Sequence, residues 1–148
     1  MKKSIIYLLF ISLFLTNCKN DCNKLCFTPP EPFQFEIVDA KTGINVFTNN
    51  TFESRYIKVV NLKDGSRVDY NFISENNYNV LTINTIGWET EIVNYSIQID
   101  NNEIFTLYVD AEFLSENCCS FSRYNEIKIE NAQYNYDKEK GLYTIFIN

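Results

Sequence analysis

Several groups of side chains in this sequence have types and spacings that suit chemistry. Asp110 and Glu112 are two residues apart, and so are Glu89 and Glu91. Residues i and i+2 of an extended strand share a face, so each pair sets two carboxylates side by side, as glycoside hydrolysis requires when acids flank a sugar. Asp100, Asn101, Asn102 and Glu103 gather the oxygen donors that calcium prefers. Trp88 follows Gly87, and Tyr56, Tyr78, Tyr134, Tyr136 and Tyr143 add rings that stack on sugars or anchor protein partners. Five cysteines, Cys18, Cys22, Cys26, Cys118 and Cys119, bring thiol, disulfide and metal chemistry. There is no histidine. That removes Ser-His-Asp and Cys-His catalysis, imidazole acid–base work and histidine-ligated metals.

Each group has a plainer reading. Acids on the solvent side of a strand are common, and 100–103 lacks the glycine and closing glutamate of an EF-hand loop, so it reads as a hairpin turn. The chain is therefore expected to be non-catalytic, with no cofactor and no bound metal. Trp88 and Tyr78 are the residues expected to meet a ligand. With 148 residues and a formal charge of −6, the chain lacks the basic surface that displaces counterions from phosphates, so no nucleic-acid partner is expected. Hydrophobic residues make up 45% of the chain against 4 Gly and 3 Pro, which suits one domain with a buried core.

Lys2 and Lys3 precede thirteen uncharged residues, Ser4 to Thr16, centred on an apolar run. A bilayer-spanning helix needs about 20 apolar residues. The segment therefore reads as a helical export signal over residues 1–17. Leu15-Thr16-Asn17-Cys18 then resembles the lipobox of bacterial lipoproteins. The resemblance implies cleavage before Cys18, a diacylglyceryl group on its sulfur and an acyl chain such as palmitate on its new amino group. Three chains would tether the protein durably, where a single one gives marginal membrane residence. Lys19 stands where a Gram-negative inner-membrane retention signal would have Asp, which implies outer-membrane attachment, periplasmic or surface-facing. Lys19-Asn20-Asp21 also resembles a lysine-then-acidic surface-export tag. Loss of Lys2 and Lys3 takes the formal charge from −6 to −8, so the body should be repelled by anionic lipid.

Setting Cys18 aside leaves Cys22, Cys26, Cys118 and Cys119, an even number in a compartment that permits oxidation. Joining Cys118 to Cys119 would require a strained vicinal bridge. The expectation is two bridges between the N-terminal segment and the Cys118-Cys119 loop, with the pairing left open. The C-x3-C and C-C spacings argue against a four-thiolate zinc site.

The elements that position these groups read as strands. Phe33, Phe35 and Ile37 alternate with polar residues, and Asp39 to Gly43 should turn the chain into a hairpin with 44–48. Arg55 to Asn61 and Arg67 to Ile73 flank Asp64-Gly65, a second hairpin signal. Tyr78 to Ile86 reads as a central strand. Val93 to Ile99, Phe105 to Val109, Ile127 to Ile129 and Leu142 to Ile147 complete about nine strands. Helical periodicity is absent after the signal. The expected fold is an all-β antiparallel sandwich, immunoglobulin-like or related, over residues 33–148. Residues 18–32 would form the lipidated tether and its Pro-rich spacer, holding the domain off the membrane. The expected role is a membrane-anchored envelope module that binds or assists a protein partner, with carbohydrate binding in a surface uptake system as the alternative.

Overall fold

The computed structural model describes residues 26–76 and 78–148. The expected signal segment, Cys18 and Cys22 lie outside the described residues. Ten strands follow in chain order: β1 Cys26–Phe27, β2 Phe33–Asp39, β3 Ile57–Asn61, β4 Asn71–Glu75, β5 Tyr78–Ile83, β6 Glu91–Ile99, β7 Asn102–Glu116, β8 Cys119–Glu130, β9 Gln133–Asp137 and β10 Leu142–Ile147. They form two five-stranded sheets, ordered β1-β8-β7-β6-β3 and β4-β5-β2-β10-β9. The chain is an all-β sandwich.

Alternation along each strand becomes rows of apolar side chains across each sheet. In the second sheet, register aligns Phe72, Leu81, Phe35, Tyr143 and Tyr136 on successive strands. In the first, Val59, Ile97 and Phe105 align, as do Tyr95, Leu107 and Ile129. The two faces meet where the Phe35 and Phe105 rings lie 4.9 Å apart. Each wholly buried side chain of this size contributes about 1.5 to 3 kcal/mol of hydrophobic stabilisation.

Several expected connections differ. The sheets are mixed rather than purely antiparallel, because β1 runs parallel to β8 and β10 parallel to β2. The 44–48 strand does not form. After a single bridge between Val38 and Asn45, the Asn45 side chain accepts from the Phe47 amide and donates to the Asn79 carbonyl, which commits that segment to turns. The Asp64-Gly65 hairpin is also short. Asn61 bonds Ser66, and Val68 bonds Val59, through their backbones. The chain then leaves for the other sheet, with Val68, Tyr70 and Phe72 packed against the core and the Tyr70 hydroxyl donating to the Ile57 carbonyl at 2.9 Å.

The dominant element is the long β7–β8 hairpin. Its turn residues Asn117 and Cys118 have φ of 49° and 69°, the left-handed pair that a two-residue turn matched to strand twist requires. Between the pairs Asp110–Glu126 and Ala111–Tyr124, β8 carries one extra residue, Asn125. This bulge reverses which side chains face inward, so Tyr124 joins the core side and Arg123 faces out.

Candidate functional site

The hairpin tip is where the N-terminal segment meets the body. Cys26 pairs with Cys119 across the parallel ladder, and a disulfide joins them over a sequence separation of 93. The Cys26 amide donates to the Cys118 carbonyl at 3.1 Å, and the Thr28 amide to the Ser120 carbonyl at 2.9 Å. Cys118 is itself disulfide-bonded. Residues 26–32, expected to be a spacer that holds the domain away, are instead docked along β8.

Tyr124, turned inward by the bulge, continues this docking. Its hydroxyl lies 3.2 Å from the Glu31 carbonyl oxygen and 3.4 Å from that of Ile86, and donates to one or the other. Burial, reinforced by the negative charges of Glu31 and Glu91, pushes the Tyr124 phenol up to about 12. Under the ring lies Gly87, at φ +91°. A Cβ there would meet the Tyr124 hydroxyl at 3.0 Å and the Pro30 Cβ at 3.3 Å. Only glycine combines that backbone conformation with so close an approach. Ser122 donates its hydroxyl hydrogen to the Gly87 carbonyl, and the Gly87 amide donates to Glu91 at 2.7 Å.

This frame presents Trp88. Its indole N–H donates to the Asn84 carbonyl at 2.8 Å, which fixes the ring, yet the residue is 52% exposed. Its neighbour is Phe27 of β1, 54% exposed, with ring centroids 6.0 Å apart and planes tilted by 34°. Tyr78 is exposed too, but at the opposite end of β5, which rises about 17 Å over its length. The expected Trp88–Tyr78 pair therefore does not share a surface. Phe27 takes the second place, because the disulfide carries it to the tip.

The acid pairs do not converge on a cleft. Glu112 bonds Arg123 at 2.6 Å on the outer face of the first sheet, and that hydrogen bond holds its carboxyl below the usual range. Asp110 lies beside Ile92 and Glu126 on the same outer face. Glu91 is engaged by Gly87, and Glu89 is exposed. The 100–103 run is split: Asp100 and Asn101 make the turn, whereas Glu103 belongs to β7 and accepts from Ser96 at 2.6 Å and Asn131 at 3.0 Å. Among the described residues, no three of His, Cys, Asp and Glu are grouped as a metal would need.

At the other end of the hairpin, an open groove of about 740 Å³ is lined by Phe52, Asn102, Glu103, Asn131, Gln133 and Phe146, among others. Neither acid pair reaches it. No local pattern pointed to Phe27 or Tyr124 as site residues. The missing signals were the disulfide partner of Cys26 and the bulge at Asn125, both of which depend on distant chain. Comparison with protein-family models, with curated proteins and with solved structures returned no match.

Proposed function

We propose that this chain is a non-catalytic envelope lipoprotein of the outer membrane, held by lipid on Cys18, whose sandwich body serves as a binding or accessory module for a protein partner. The observation that carries the reading is the Cys26–Cys119 disulfide, which belongs to an oxidising compartment outside the cytosol and ties the segment following Cys18 to the body. Commitment of Glu112 to Arg123, and of Glu103 to Ser96 and Asn131, favours a binding role over acid–base catalysis. Separation of Trp88 from Tyr78 weighs against the carbohydrate alternative.

Radiolabelled palmitate fed to cells making the protein tests the anchor. The wild-type chain should carry label and fractionate with the outer membrane, and Cys18→Ser should carry none. An unlabelled wild-type product recovered from the medium would overturn the proposal. Crosslinking in the native envelope, followed by purification of the lipidated chain, should then recover a defined protein companion at fixed stoichiometry.

A further inference from the structure

We infer that Phe27 and Trp88 form a membrane-resting face, by which the tip of the sandwich sits against the lipid surface that holds the anchor. The inference rests on the lipid-anchor reading and adds the orientation of the body to it. Because residues 26–32 are docked on β8, at most the stretch of chain from Cys18 to Cys26 separates the proposed anchor from the body. Eight residue steps span less than about 30 Å even when fully extended. The hairpin tip is therefore the part of the body held nearest the bilayer, while the 740 Å³ groove lies at the far end of β7 and β8 and faces away.

The chemistry of the tip suits that position. Phe27 and Trp88 are both more than half exposed and lie side by side as one aromatic pair. Aromatic rings, tryptophan above all, favour the boundary between headgroups and acyl chains. Trp88 is held in place by its bond to Asn84, so little ring freedom is lost on contact. Glu89 follows Trp88 and Glu31 lies four residues after Phe27, so the contact is apolar rather than electrostatic and selects neutral over anionic lipid. The occupant is the bilayer surface itself.

Trp88 is the only tryptophan, so its emission reports this face alone. The whole chain is held on phosphatidylcholine vesicles with brominated acyl chains, in one arm through its own lipid and in a second through a histidine tag replacing the signal and bound to a nickel-chelating lipid. In both arms Trp88 emission should shift to the blue and be largely quenched. Phe27→Ser, a change at an exposed residue, should weaken the quenching while the circular dichroism of the sandwich stays unchanged. Vesicle-bound protein whose Trp88 emission matches that in free solution overturns the inference. So does a shift produced by soluble maltoheptaose with none from vesicles, which would assign the rings to a sugar. Failure of the first arm to associate with vesicles, with quenching intact in the second, would count against lipidation of Cys18 while supporting the face.

Discussion

Cys26 and Cys119 occupy paired positions in the parallel ladder between β1 and β8, with Cα atoms 4.4 Å apart, and their disulfide closes a separation of 93 residues. β1 contributes only two residues to the ladder with β8, and the bridge fastens that short strand covalently to the hairpin tip. In the chain-entropy account, a loop of this length stabilises the fold by about 4 to 5 kcal/mol. Because Cys118 is disulfide-bonded as well, the Cys26→Ser, Cys118→Ser, Cys119→Ser triple variant should lose most of that in urea unfolding and expose the 26–32 segment to protease. An unchanged midpoint would show that the bridge adds nothing to stability.

Gly87 is a point of close approach as well as a left-handed one. Gly87→Ala should cost about 1 to 3 kcal/mol, because the new Cβ meets both the Tyr124 hydroxyl and Pro30. Gly43, at φ +68° with nothing within 4 Å, is the comparison. Gly43→Ala should cost about 1 kcal/mol from backbone strain alone. Equal losses at the two sites, read from denaturation midpoints, would show that packing at 87 is slack.

Thr82 and Asn79 should respond in opposite directions. The Thr82 hydroxyl is buried without a hydrogen-bond partner among the described residues, so Thr82→Val should be neutral or stabilise by up to about 1 kcal/mol. Asn79, on the same strand, accepts from Ser74 and donates to Thr48, both at 2.8 Å. Asn79→Ala should destabilise by about 1 kcal/mol, since it removes both hydrogen bonds of a buried side chain while its exposed partners Ser74 and Thr48 turn to water. Thermal denaturation of the two variants decides this.

Alkaline pH should unfold the protein through its tyrosines. Burial raises the phenols of Tyr124 and Tyr143 to about 12, and raises Tyr70 and Tyr95 as well. The unfolded chain ionises near the ordinary value of about 10. Protons are therefore held more tightly in the folded state, so this contribution is fully present below pH 10 and lost between about 10 and 12. Absorbance at the tyrosinate band should show Tyr124 and Tyr143 ionising together with loss of β-sheet circular dichroism. Their ionisation near pH 10 in a still-folded protein would contradict the burial described.

Strand identity was legible in the sequence wherever side chains alternate. Phe33 to Ile37, Val93 to Ile99, Phe105 to Val109 and Leu142 to Ile147 lie in strands as their pattern indicates, because two-residue periodicity is a local property of extended backbone. Even Val68, Tyr70 and Phe72 keep their inward face outside the expected hairpin.

Partner choice was decided by the tertiary structure. Nothing local to residues 57–75 says that β3 and β4 join different sheets, and nothing local to Asn125 says that it bulges and turns Tyr124 inward. Nor does Phe27 announce itself beside Trp88 across about sixty residues of chain. Such pairings depend on which distant surfaces can be buried together once loop-closure entropy has been met. The amino-acid order thus set the all-β character and the inner faces, while long-range packing set the sheet order, the docking of residues 26–32 and the aromatic tip.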